Sequence, residues 1–142
     1  MKKLVLFFAG LILFAAAAAA KPPEKNRLVL PEDTYNRAVD NLLKGLASDN
    51  LGLKVSSAYL LGEFESDKAV IPLLKVLHSE KNVEARVIAA LSLYKIGDSR
   101  GIYAIKQAIR YDTSKRVNSL CEKFYFAYLS KENRQEEIVA IK

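Results

Sequence analysis

The sequence predicts an all-α fold, a short right-handed α-solenoid (an α-α superhelix) of about two to three helix-pair repeats, and three observations carry that expectation. From Asp33 to about Leu129, apolar residues recur at spacings of three and four, a period that only helices have. This region holds one proline, Pro72, placed five residues after Asp67 in what reads as the first turns of a helix. Residues 54 to 77 also align with 86 to 109 at an offset of 32, and ten of the 24 pairs are apolar in both copies. Lys54/Arg86 and Lys68/Arg100 are basic in both. A pair of helices repeating at about 30 residues exposes more apolar surface than it can bury internally, so successive pairs must stack.

The elements follow in chain order. Residues 1–20 read as an export signal: Lys2 and Lys3, then an apolar stretch from Leu4 to Phe14 broken only by Gly10, then six alanines. Ala18 and Ala20 place cleavage after Ala20, and the short form of the signal points to a bacterial periplasm or secretion. The competing reading is an uncleaved membrane anchor, since Leu4 to Ala20 is at the lower edge of a bilayer span. The small apolar area of alanine weighs against it. Residues 21–32 form an extended leader whose prolines, Pro22, Pro23 and Pro31, surround the short apolar patch Leu28 to Leu30. Residues 33–130 form the repeat domain, with helices over roughly 33–48, 51–64, 67–79, 83–96, 99–111 and 114–130. Ser66-Asp67 and Asp98-Ser99 stand at equivalent places before the second helix of each pair, where a side-chain oxygen can cap free backbone N–H groups. Residues 131–142 form a polar linker and tail, which we expect to fold back as a cap through Ile138, Val139 and Ile141. The competing reading leaves the aromatic run Phe124-Tyr125-Phe126 as an open end that associates.

Composition narrows the chemistry. One cysteine excludes an internal disulfide, and with one histidine it excludes both a four-cysteine zinc site and one of two cysteines and two histidines within one chain. Removing the signal leaves 20 basic and 16 acidic residues, a mild excess without the concentrated basic block of a nucleic-acid binder. Cys121 falls on the apolar stripe Val117, Leu120, Phe124, Tyr128 and reads as a core residue. His78, near a helix end, reads as a favourable partner of the helix dipole.

The strings KVSSAYLLGEFESDKAVIPLLKVL and RVIAALSLYKIGDSRGIYAIKQAI resemble HEAT-like repeats of the short bacterial type named after phycobilisome lyases. Arg86, Ala89, Ala90, Leu93, Ile96, Gly97, Asp98, Arg100 and Ile102 match the family pattern, which the second copy leaves at Ala85 and Gly101 and the first at Glu65 and Ser66. The resemblance implies a helical solenoid whose second helices line the concave face. It also brings two enzymatic possibilities. The di-iron hydroxylases of this class need repeated His-Glu pairs, whereas His78 is followed by Ser79. The pigment lyases act on bilins in the cytoplasm, whereas this chain reads as exported.

Superposing the second helices of successive pairs aligns Arg37, Lys68 and Arg100; Asp40, Ile71 and Tyr103; Lys44, Lys75 and Gln107; and Ala47, His78 and Arg110. Within each helix these residues share one face. The expected site is thus a basic groove with Ile71 and Tyr103 at its middle, fitted to an acidic segment of a partner protein, with no metal, cofactor or catalytic residue. An ordinary solvated helix face is the competing reading. We expect a non-enzymatic interaction module or scaffold. The alternatives are a binder of an anionic lipid surface or acidic glycan through the same face and, behind that, a lyase-like enzyme or cofactor chaperone.

Overall fold

The computed structural model describes residues 30–140, with side chains through residue 136. The signal segment, most of the leader and Ile141 lie outside the described residues, as do the side chains of Ile138 and Val139. Six α-helices follow in order: α1 (Glu32–Leu46), α2 (Leu51–Glu63), α3 (Val70–Ser79), α4 (Val83–Ile96), α5 (Ser99–Tyr111) and α6 (Lys115–Ala140). A 3-10 turn, Asp67–Ala69, leads into α3.

Local chemistry sets the boundaries. The Asn50 side chain accepts from the Leu53 amide at 2.9 Å and Asn82 from the Ala85 amide at 3.0 Å, capping α2 and α4. The expected capping by Asp98 is present at α5, where its carboxylate accepts from the Arg100 amide at 2.9 Å. Ser66, at the equivalent place, makes no side-chain cap. Pro72 is the third residue of α3, where no intrahelical acceptor waits for an N–H. Gly97 ends α4 at φ 75°. One repeat earlier Glu65 adopts φ 46°, so the left-handed turn is retained where the side chain disfavours it.

α2, α4 and α6 stack in one layer, α4 against both neighbours, while α1, α3 and α5 form a second, looser layer in which α3 and α5 touch lightly. Small residues permit the first layer to close. Ser92 of α4 is fully buried and its hydroxyl donates to the Ala58 carbonyl at 2.8 Å. A Cβ on Gly62 would stand 2.7 Å from the Ser92 Cα, so the two backbones are in direct contact there. Gly45 of α1 is approached by side chains instead, those of Ser57 and Leu53 of α2. Leu61, Leu73, Leu93, Ile105, Val70 and Val117 fill the space between the layers.

Ion pairs reproduce the repeat. Lys54 pairs with Glu80 at 2.6 Å, and Arg86 with Asp112 at 2.9 Å, each across 26 residues. Both acids are the residues that end their helices, and both also accept the backbone N–H two residues later. The bond from Lys54 holds the Glu80 carboxyl below the usual carboxylate range. Arg86 is almost wholly buried: its Nε and Nη2 donate to the two Asp112 oxygens, and its Nη1 donates to the Glu80 and Lys81 carbonyls at 2.9 and 3.1 Å. Between repeats the links join positions 32 apart: Lys68 to Asn36 and Lys95 to Glu63.

One expectation is overturned. The last helix does not stop near residue 130 but runs to Ala140, so residues 131–140 form neither a linker nor a returning cap. Residues 130–137 hold no proline or glycine to stop the helix, and within it the Ser130 hydroxyl donates to the Phe126 carbonyl at 2.9 Å.

Two substitutions probe this packing. Gly62→Ala should cost about 1–3 kcal/mol, because one of the opposing atoms, the Ser92 Cα at 2.7 Å, belongs to backbone and cannot turn aside. Arg86→Ala should cost about 3–5 kcal/mol by stranding the Asp112 charge, and Lys54→Ala, at the wetter pair, clearly less. Urea unfolding of the three variants measures both, and equal losses at Lys54 and Arg86 would contradict the difference in burial.

Candidate functional site

The residues of the expected groove all lie on α1, α3 and α5 or on the turn before α3, the open layer of the structure. Ile71 is 59% exposed and Tyr103 64% exposed, large apolar groups with no core to fill. Arg37, Lys44, Lys68, Lys75, His78, Arg100 and Arg110 are exposed as well, and Gln107 is half-buried.

The face is furrowed. One depression of about 550 Å³ runs between α1 and α3, floored by Leu43, Leu46 and Val76 and edged by Ile71 and Lys75. A second, of about 430 Å³, lies between α3 and α5 and brings His78, Arg100, Tyr103 and Gln107 together over Leu74 and Ala104. His78 and Gln107 also border a third depression of about 490 Å³ that reaches Tyr111, Thr113 and the Arg86–Asp112 pair. Six of the ten expected residues therefore line depressions. Arg37, Lys44, Lys68 and Arg110 line none of these three. Tyr111, 74% exposed, is a member that the sequence reading missed; it follows Arg110 directly, at the very end of its helix, where the three-and-four pattern has no further turn to place it.

Charge is distributed less evenly than the residue types suggest. Arg37 pairs with Asp33 at 3.2 Å, one turn earlier on α1. Lys68 lies 3.3 Å from the Asn36 side-chain oxygen and 3.8 Å from Asp40. Arg100 grips the Asp98 carboxylate with two N–H groups at 2.9 and 3.0 Å, and this bond holds that carboxyl below its ordinary range. These exposed pairs contribute little to stability, but they reduce the charge offered to a ligand. No ion pair among the described residues engages Lys44, Lys75 or Arg110.

Among the described residues, no cluster of three or more His, Cys, Asp or Glu side chains is placed to hold a metal ion. No helix of the described residues is long and apolar enough to cross a membrane. Cys121 sits in the core of α6, fully buried, as its apolar stripe suggests. Burial, with a smaller contribution from the Asp112 carboxylate, pushes its thiol up to about 12. In the folded protein Cys121 should therefore resist a thiol reagent at pH 8 and react once urea unfolds the chain; labelling at comparable rates in both states would refute that protection.

Residues 85–111, which span nearly all of α4, the Gly97 turn and α5, match the family model of the PBS lyase HEAT-like repeat. The chain thus carries a HEAT-like repeat, and the weaker copy at 54–77 lies upstream of the match. No curated protein matches the chain.

Proposed function

We propose that this HEAT-like repeat protein is an exported, non-enzymatic interaction module that holds an acidic segment of a partner protein on its α1, α3 and α5 face. The observation that carries the reading is the coincidence, on one layer, of apolar furrows with cations that no ion pair among the described residues engages. Ile71 and Tyr103 offer apolar contact, and Lys44, Lys75 and Arg110 offer charge. A peptide carrying both apolar and acidic side chains satisfies both features. An anionic lipid surface or glycan would use the charge and leave the furrow floors of Leu43, Leu46 and Leu74 unfilled, which favours a protein ligand. The HEAT-like repeat supports an interaction role, and the export signal in the sequence supports placement in the periplasm or outside the cell.

Charges already matched by Asp33, Asp40 and Asp98 contribute less to such binding than the unmatched ones. Crosslinking the tagged protein in its native envelope identifies what it holds. Against that partner, Lys44→Glu/Lys75→Glu/Arg110→Glu should weaken binding by roughly tenfold or more, about 1.4 kcal/mol, with helix content unchanged. Reversing Arg37, which is engaged by Asp33, should do less. Binding that survives the triple reversal would remove this face from the function, and recovery of anionic lipid vesicles or acidic glycan in place of a protein would replace the ligand class.

A further inference from the structure

The layer of α2, α4 and α6 is built on one rule. Its helices begin at Leu51, Val83 and Lys115, 32 residues apart. Both junctions meet at the same offsets. Gly62 lies on Ser92 and Tyr94 stacks on Phe124 at 5.9 Å, each 30 residues on, while Glu63 pairs with Lys95 and Glu84 with Arg116, each 32 residues on. A seam that recurs in this way is the surface each helix of the layer offers to its successor.

Apolar surface remains uncovered at both ends of the series. On the incoming side of α2, Leu53 and Leu60 are 50% and 41% exposed, with Ser56 exposed between them. The equivalent residues of α4, Ala85 and Ser92, are fully buried. On the outgoing side of α6, Phe126 is 59% exposed, whereas the equivalent Tyr94 of α4 is half-buried under Phe124. Ser119 and Glu122 are exposed on the same side of α6.

Extended beyond α6, the series reaches the α2 of a second copy. The offset of 30 then carries Phe126 onto Leu60, Glu122 onto Ser56 and Ser119 onto Leu53. Phe126 on Leu60 sets apolar on apolar surface. The Ser56 hydroxyl can donate to the Glu122 carboxylate, and the small Ser119 leaves room for Leu53. Charge agrees as well. The Lys95 ammonium stands over the Tyr59 ring at 4.6 Å, an offset of 36 that carries Lys123 toward Glu63 of the second copy. No ion pair among the described residues engages Lys123. The alternative, α2 on α2 about a two-fold axis, would cover Leu60 but leave Phe126 in water.

We propose that these two end faces form one seam, by which the protein associates head to tail with a second copy, Phe126 of one packing on Leu60 of the next. The contact is heterologous, so it adds copies in a row and continues the solenoid across chains. Being one helix wide, it belongs to the small, transient class of interfaces.

Sedimentation velocity of the exported protein tests this. The mass of the wild type should rise with concentration. Leu60→Glu and Phe126→Glu each place a charge in the seam, and each should raise the dissociation constant at least about tenfold with helix content unchanged. Mixed in equal amounts, the two variants should form a one-to-one dimer and nothing longer, since one retains Phe126 and the other Leu60. If either Glu variant loses helix content, Leu60→Ser and Phe126→Ser replace the pair. A wild type that stays monomeric at every concentration would overturn the proposal, as would a mixture that stays monomeric. Loss of association in only one of the two variants would overturn it too; in Leu60→Glu alone, it would assign the α2 face to a symmetric pair.

Discussion

The closeness of α2 and α4 is the constraint on which the remainder of the structure rests. With Gly62 and Ala58 on one side and Ser92 on the other, no large side chain separates the helices, and the Ser92 hydroxyl satisfies itself on the Ala58 carbonyl. Tight seating in this layer makes α4 the centre of the molecule, in contact with α2, α3, α5 and α6. It also leaves the other layer comparatively loose. The furrows between α1, α3 and α5 are the counterpart of that arrangement: the layer whose helices are not drawn together exposes the valleys in which a partner would lie.

The Arg86–Asp112 pair gives the repeat its closure. A guanidinium that reaches two carbonyls after α3 and a carboxylate at the end of α5 joins both inter-helix turns at one end of the array. Buried charge of this kind is costly to desolvate and costly to strand, so it constrains geometry more than it adds net stability. The Lys54–Glu80 pair repeats the design with a point charge in a wetter setting. A lysine cannot reproduce the two-pronged grip of an arginine. This difference fits the sequence pattern, in which residues 85–111 match the repeat family and the earlier copy lies outside the match.

Much of the scaffold was legible in the residues. α4 and α5 have the expected limits because Asn82, Gly97 and Asp98 mark them chemically. The end of α6 was not legible, since the polar run after Leu129 has no breaker and reads equally well as linker or as the exposed continuation of a helix. Among the candidate site residues, periodicity placed ten side chains on one layer. It could not separate cations engaged by a neighbour from cations that no ion pair among the described residues engages, because Arg37, Lys68 and Arg100 look like Lys44, Lys75 and Arg110 until the carboxylates beside them are located.

By itself, then, the sequence determined that this chain forms paired helices at a 32-residue interval and stacks them, since apolar spacing, turn residues and class-preserving repetition are all local properties that survive in one dimension. Tertiary structure decided which of the two layers closes and which stays open, where the depressions fall, and which charges remain available. Those outcomes depend on distances between residues 26 to 32 positions apart, such as Arg86 to Asp112 and Asn36 to Lys68, and such distances exist only once backbones meet at contacts like Gly62 on Ser92.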